Sequence, residues 1–324
     1  MKRSKKSWPP YQLVEEGIEA RAERQLDRLE RLYHVGQNLI WDGKQVLADL
    51  IAKHGPPRLP EAQKPAALKV LAMLLWGELA AWAISADLAE RIDDVEAKMA
   101  ATSQAHDEAR HFYVLRDYLR ALGEPVPHLG GIGRRLLIGI LETDSLEQKL
   151  VGMQLLVESN ALALFRGLVD AKLEPVLEEL LPYYEKDEAR HVGLGVLYLP
   201  RRLKALGRRE TIGVMAFQVR CLGYLMSGGL TMREHFAALG MHPRELAKRT
   251  VTLQHEIMRD MLATSDGPRR RDAVRGILNP AVGIGPTVLD FLHPRDGVAK
   301  APAWQRALLS VWTSGARMAD RALA

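Results

Sequence analysis

Cysteine is nearly absent from this chain of 324 residues: Cys221 stands alone, so neither an intrachain disulfide framework nor a thiolate metal site can be assembled from it. Aromatic residues are few, at 6%, and strand-forming runs are scarce, whereas Ala, Leu, Glu and Arg dominate, a balance that favours helix. Charge of one sign is also in short supply. The formal net charge of +5 is modest for this length, and its local concentrations (Lys2 to Lys6; Arg201, Arg202, Lys204, Arg208 and Arg209; Arg269 to Arg271) carry no interleaved aromatics or nucleic-acid motif. They read first as solvated helix ends. The sharper alternative is a dock for an acidic partner. No uninterrupted apolar run approaches the roughly 20 residues of a membrane span: the stretch Ile212 to Met232 comes closest, but Gln218, Arg220 and glycines interrupt it. The basic start Met1-Lys2-Arg3-Ser4-Lys5-Lys6 is not followed by an apolar signal core. Cytoplasmic location, without membrane or nucleic-acid partners, is the expectation.

What is present is a duplication. Asp-Glu-Ala-Arg-His occurs at Asp107 to His111 and again at Asp187 to His191, 80 residues later. Thirty residues before the glutamate of each copy lies another glutamate in an apolar stretch, Glu78 before Glu108 and Glu158 before Glu188. Glu at i and His at i+3 project from one helical face, so Glu108 with His111, and Glu188 with His191, can each grip an ion. Two antiparallel helices bring their midpoints level only if the turn falls halfway between them. The halfway positions are residues 93 and 173, and turn signals stand there, Asp93-Asp94 and Leu173-Glu174-Pro175. Fifteen residues on each side rise about 22 Å, a workable bundle height.

The spacing therefore predicts two hairpins and an all-α four-helix bundle, with six inward ligands: Glu78, Glu108, His111, Glu158, Glu188 and His191. Long helices are expected over about 65–90, 94–122, 144–171 and 174–199, the third opened by a capping box at Asp144-Ser145-Leu146-Glu147. One or two helices are expected over 13–52, after a basic arm at 1–10. Further helices are expected over about 209–227, 231–239, 243–264, 270–278 and 303–323. No composition shift marks a second domain, so the chain reads as one helical domain over 1–324. Its bundle core covers 64–207, with helical extensions at 1–63 and 208–324. Four buried carboxylates would each suffer several kcal/mol of desolvation. Two divalent cations bring +4 against −4 and make the set formally neutral. Carboxylates and imidazoles with open positions suit iron or manganese.

On these residues the chain, over roughly 64–200, resembles the ferritin-like di-iron carboxylate superfamily, whose bundles carry this ligand pattern. The Asp-Glu-x-Arg-His form resembles the bacterial multicomponent monooxygenase hydroxylases and soluble acyl-carrier-protein desaturases more than storage ferritins. The resemblance implies a ferritin-like four-helix bundle with additional N- and C-terminal helices and two iron ions, or a manganese–iron pair. It implies that Asp107 and Asp187 hydrogen-bond metal-bound imidazoles, and that Arg110 and Arg190 hold those aspartates. It further implies O2 as co-substrate and an external electron donor, a ferredoxin or reductase, with a small-molecule or carrier-bound substrate. Iron oxidation or peroxide handling of ferritin or rubrerythrin type is the alternative reading. A second is a radical-generating subunit like that of ribonucleotide reductase. In that family the radical tyrosine lies one turn after the first Glu-x-x-His, where this chain has Leu115. Tyr184, one turn before Glu188 on the ligand face, is the candidate redox tyrosine, and it holds the place where some di-iron N-oxygenases carry an extra histidine ligand. A cavity near the ions is expected to be lined by Trp82, Phe112, Leu115, Ala161, Leu162, Phe165, Val192 and Gly195, with Ala161 and Gly195 leaving room. The helices outside the bundle are expected to form a substrate lid or a subunit interface, as in a homodimer.

Overall fold

Two hairpins form the centre of the molecule in the computed structural model, which describes residues 24–323. The basic arm expected over 1–10, and the helix start expected at Leu13, lie outside those residues. In chain order the helices are α1 (Arg24–Asn38), α2 (Gly43–His54), α3 (Lys64–Arg91), α4 (Val95–Ala121), α5 (Gly131–Glu142) and α6 (Leu146–Leu150). After a π-helical stretch (Val151–Val157) come α7 (Glu158–Ala171), α8 (Pro175–Leu203), α9 (Arg208–Ala238), α10 (Pro243–Thr264), α11 (Pro268–Ile277), α12 (Asn279–Gly283), α13 (Gly285–Leu292) and α14 (Ala303–Leu323). No strand occurs among the described residues. The all-α class expected from composition is the one found.

The turns fall at the halfway positions. Helix α3 ends at Arg91 and α4 begins at Val95. Helix α7 closes on Lys172 in a left-handed conformation (φ 48°). Glu174 then caps α8, its carboxylate accepting from the amides of Val176 (3.1 Å) and Leu177 (2.9 Å). The same carboxylate accepts from the Tyr118 hydroxyl at 2.9 Å, which ties the start of α8 to α4.

Several boundaries differ from expectation for identifiable reasons. Ser145 caps α6 by accepting from the Gln148 amide at 3.2 Å, one residue later than a box opening at Asp144. Helix α8 runs through Pro182 and Pro200 to Leu203 without a break. Helix α9 is one element across Gly228-Gly229, where two were expected. The third long helix is not uniform, because the seven residues before Glu158 are wound as π-helix. The carbonyls of Leu155 and Leu156 there find side-chain partners in Ser159 and Asn160. Such single-turn widenings recur at functional sites. Gly195 of α8 makes this close packing possible, since a Cβ on it would lie 2.7 Å from Cβ of Gln154.

Apolar residues gather in two clusters along the bundle. One surrounds the first hairpin's turn and includes Ile84, Leu88, Ile92, Leu150 and Tyr198. The other, with Leu71, Leu115, Tyr118, Phe165 and Leu177, fills the opposite end. The glutamates lie between them. Helix α3, rather than the stretch Ile212 to Met232, is the one described helix long and apolar enough to cross a membrane by length and composition, and 56% of its apolar window is buried inside the fold. Its apolarity is accounted for by core packing around Glu78.

Candidate metal centre

Glu78 comes from the middle of α3, Glu108 and His111 from α4, Glu158 from the first residue of α7, and Glu188 and His191 from α8. All six side chains are buried. They converge as two overlapping sets: Glu78, Glu108, His111 and Glu188 in one, and Glu108, Glu158, Glu188 and His191 in the other, with ligand-type atoms within 4.8 Å of one another in each. Glu108 and Glu188 belong to both sets, the position of bridging carboxylates. Glu78 and Glu158 each belong to one. Each histidine turns Nδ1 inward: that of His111 lies 3.2 Å from Glu188 and 3.3 Å from Glu78, and that of His191 lies 2.9 Å from Glu188 and 3.0 Å from Glu108.

The supporting residues are exchanged between the two copies. His111 Nε2 meets Asp187 at 3.0 Å, and His191 Nε2 meets Asp107 at 3.3 Å, so each aspartate orients the imidazole of the other helix. Arg110 donates to both Asp107 (2.6 Å) and Asp187 (2.8 Å), while Arg190 donates to Asp187 (2.6 Å) and Asp107 (2.9 Å). The indole N–H of Trp41, held just ahead of the Asp42 cap of α2, adds a third donor to Asp187 Oδ2 at 2.9 Å. On the other side Gln104 donates to Glu108 (3.2 Å) and Glu158 (2.8 Å), and accepts from Gln154 at 3.1 Å. Trp41, Gln104 and Gln154 carry no sequence signal of this role, since they belong to neither the repeated pentapeptide nor its 30-residue partners.

The electrostatics fit a cation pair. Burial drives the Glu78 and Glu158 carboxyls well above the ordinary range, and neighbouring carboxylates add to the rise. Burial also pushes Glu108 upward, but His191 and His111 outweigh it and leave that carboxyl low. For both imidazoles burial favours the neutral form and is overcome by the surrounding carboxylates, so His111 and His191 hold their protons well above the usual range. Protons thus stand where metal charge would otherwise be. Glu108 Oε2 and His111 Nδ1 are buried without a hydrogen-bond partner, as atoms facing a ligand position are. Four carboxylate groups and two imidazoles are a donor set for iron or manganese.

No family model matches the sequence, and no curated protein does. Solved structures do match by shape. An R2-like ligand-binding oxidase with aerobically reconstituted Mn/Fe cofactor superposes with a TM-score of 0.56 at 18% identity, covering 77% of this chain and 96% of that one. A variant of such an oxidase with aerobically reconstituted Fe/Fe cofactor gives 0.55 at 18%, with the same coverage. This chain has the fold of the R2-like ligand-binding oxidases. The ferritin-like architecture expected from the duplicated motif is therefore present, and the fold is one in which Mn/Fe and Fe/Fe cofactors have both been reconstituted.

A cavity of about 370 Å³ opens beside the centre, with Glu78 and Glu158 in its wall. Of the residues expected to line it, only Ala161 does. Phe165 and Leu115 are packed in the bundle-end core, Phe165 edge-on to Tyr184 with centroids 5.6 Å apart. Leu162 and Val192 belong to the other core. The space at Gly195 is filled by Gln154. Trp82, 41% exposed, lies against Phe112 on the outside of the hairpin. The cavity is built instead by α3, α5, the π stretch, α7, α9, α10, α12 and α13, and four of those helices follow residue 207 and carry no motif. Tyr184 stacks on His111 with centroids 4.3 Å apart and donates its hydroxyl to the His111 carbonyl at 2.8 Å. Burial raises its pKa well above the usual value, which keeps the phenol protonated.

Proposed function

We propose that this protein is an O2-dependent dinuclear-metal oxidoreductase that acts on a small apolar molecule bound in the cavity beside the metal centre. The observation that carries this reading is the shared wall: Glu78 and Glu158, one from each proposed metal position, border an apolar chamber while the other ligands are enclosed. Glu78, Glu108, His111, Glu158, Glu188 and His191 are the proposed ligands to two iron ions or a manganese–iron pair. The chemistry supplied there is reduction of O2 to an oxidant, with electrons from an external donor such as a ferredoxin or reductase. The chain's own residues fix the centre and shield it. Asp187 and Asp107 set the imidazole orientation, Gln104 spans two of the carboxylates, and the two apolar clusters exclude water above and below. The chamber supports oxidation of a bound molecule over the accumulation of a mineral.

The test is direct. Metal-free protein is given Fe(II), or Mn(II) with Fe(II), followed by reductant and O2, while metal content, O2 uptake and ferric absorbance are measured. Two ions per chain and sustained O2 uptake without a growing ferric core are expected. Absence of O2 uptake by correctly loaded protein defeats the proposal, and a growing core points to iron oxidation of ferritin type. Glu108→Ala and His191→Ala are each expected to lower the metal content; retention of two ions by both disproves the ligand assignment.

A further inference from the structure

Two residues of the cavity wall are also open to solvent, Val219 of α9 at 60% and Ile284, between α12 and α13, at 54%, and they mark its mouth. On α9 the apolar rim continues outward. Ile212, 57% exposed, lies seven residues before Val219 on the same helical face, with the exposed Ala216 between them. Arg208 stands one turn before Ile212 on that face, so the strip runs about 16 Å from its basic end to the mouth. Single exposed apolar side chains are ordinary on a protein surface. Here three of them lead to one opening.

The strip is edged with cations. Arg209 and Arg220 flank it on α9, and α9 packs against α11 and α12. Lys204 and Arg269 line one cleft, where the end of α8 meets the start of α11. With Arg208 and Arg275 these residues form a group of exposed cations, and no carboxylate pairs with any of them among the described residues. The arginines just ahead of the group are engaged by contrast, Arg201 with Asp94 at 3.0 Å and Arg202 with Glu147 at 2.8 Å. Acidic residues on these segments do not offset the charge. The Glu210 carboxylate accepts from the Gly207 amide at 2.7 Å and Asp266 faces Arg270 at 4.0 Å, which leaves the exposed Asp272.

We propose that this surface docks on an anionic lipid bilayer: the cations of α8, α9 and α11 meet the headgroups, while Ile212, Val219 and Ile284 enter the acyl boundary and turn the cavity mouth toward the membrane. Attachment of this kind grows with the apolar area buried and with the number of basic residues near the surface, and stable anchoring takes two such signals together. A second copy of the chain is a poor occupant, because a two-fold contact would set these unpaired cations against one another. An acidic protein would satisfy the cations but gives no account of an apolar mouth among them. The expectation of no membrane partner rested on the lack of a spanning run, which a peripheral surface does not require. The inference goes beyond the dinuclear reading and does not depend on it.

Sedimentation of the full-length protein with lipid vesicles tests the surface. Binding is expected to vesicles of phosphatidylcholine and phosphatidylglycerol mixed three to one, to be weak to phosphatidylcholine alone, and to fall as salt is raised. Arg208→Gln combined with Arg209→Gln is expected to lower the partition constant about 10- to 30-fold. Val219→Asn combined with Ile284→Asn is expected to lower it about 10-fold. An environment-sensitive fluorophore on Ile284→Cys should shift to the blue on the mixed vesicles, and the same label on Asp49→Cys of α2 should not; the native Cys221 is buried and does not compete for the label. Absence of wild-type binding to the mixed vesicles overturns the proposal, with no variant required. An unchanged partition constant in the double arginine variant overturns it, as does binding without a shift at Ile284→Cys, which is adsorption by charge alone. A one-to-one complex with an acidic ferredoxin in place of vesicle binding assigns the cations to a protein partner and overturns it too. Metal content and O2 uptake are recorded on the same preparations. Loss of those with intact vesicle binding defeats the dinuclear reading alone, and the reverse result defeats the membrane dock alone.

Discussion

Oδ2 of Asp187 accepts from three side chains drawn from two elements, Trp41 at 2.9 Å from just ahead of the α2 cap, and Arg110 at 2.8 Å and His111 at 3.0 Å from α4. That convergence keeps its carboxyl well below the usual range even though burial opposes ionisation, with His111 the chief cause. Asp187→Asn replaces an acceptor by an amide that cannot take all three donors and leaves the His111 ring poorly oriented. Loss of such an outer partner weakens metal binding by about 10- to 100-fold. Competition with a chelator should therefore show that drop, and the same from Asp107→Asn through His191. Because both arginines bridge both aspartates, the double variant should lose less than the product of the two single effects. Unaltered affinity in both single variants would mean that the exchanged pairs are structural only. The pentapeptide gave away the identities of these residues but not their exchange between helices. Helical spacing relates positions on one helix, and the pairing of His111 with Asp187 depends on how the hairpins face each other.

The π stretch is where element geometry and site meet. Widening the helix over Val151–Val157 shifts the register just ahead of Glu158 and presses Gln154 against α8 at Gly195. A methyl group there would stand 2.7 Å from Gln154 Cβ, an atom fixed to the backbone. Gly195→Ala is accordingly expected to destabilise the fold by about 1–3 kcal/mol through overpacking. Gly139, on α5, has nothing within 4 Å of the added carbon. Gly139→Ala should instead stabilise by about 0.5–1 kcal/mol through reduced chain entropy. Thermal unfolding of both variants compares strain with propensity at helical glycines. Equal shifts of the same sign would refute the tight approach. The element plan itself was legible in the sequence, since the 30-residue gaps demanded turns at 93 and 173 and the chain turns there. The π winding was not, because a run such as Val151 to Val157 suits either helix type. It is selected by partners far along the chain, among them Gly195 and Gln254. The cavity lining was missed for the same reason. Helix α9 reads as one more apolar helix, and only its packing over the bundle turns its apolar face into a wall.

Across the whole molecule, a charged layer lies between two apolar cores, and metal charge and protons compete to neutralise it. In metal-free protein, Glu78 and Glu158 keep their protons above the ordinary 4.5, and His111 and His191 keep theirs above the ordinary 6.5. The unfolded chain releases these protons earlier, so each group makes the folded, metal-free state less favourable as pH rises from its unfolded value toward its folded one. Glu108, Asp107 and Asp187, held low, act oppositely: their contribution is present above their unfolded values of 4.5 and 3.8 and disappears in acid. Metal-free protein should then be most stable near mildly acidic pH and weaken toward pH 8. Metal binding removes that penalty, because the cations replace the protons on the same atoms. As many as four protons leave per pair of ions, two from Glu78 and Glu158 and two from His111 and His191. The rise in melting temperature on loading Mn(II) at fixed excess should therefore grow steadily from about pH 5 to about pH 8. An indicator dye in weak buffer should register acid release at each addition until two ions are bound. A melting shift that is the same at both ends of that range, with no proton release, would show that these six side chains do not share their charge with metal.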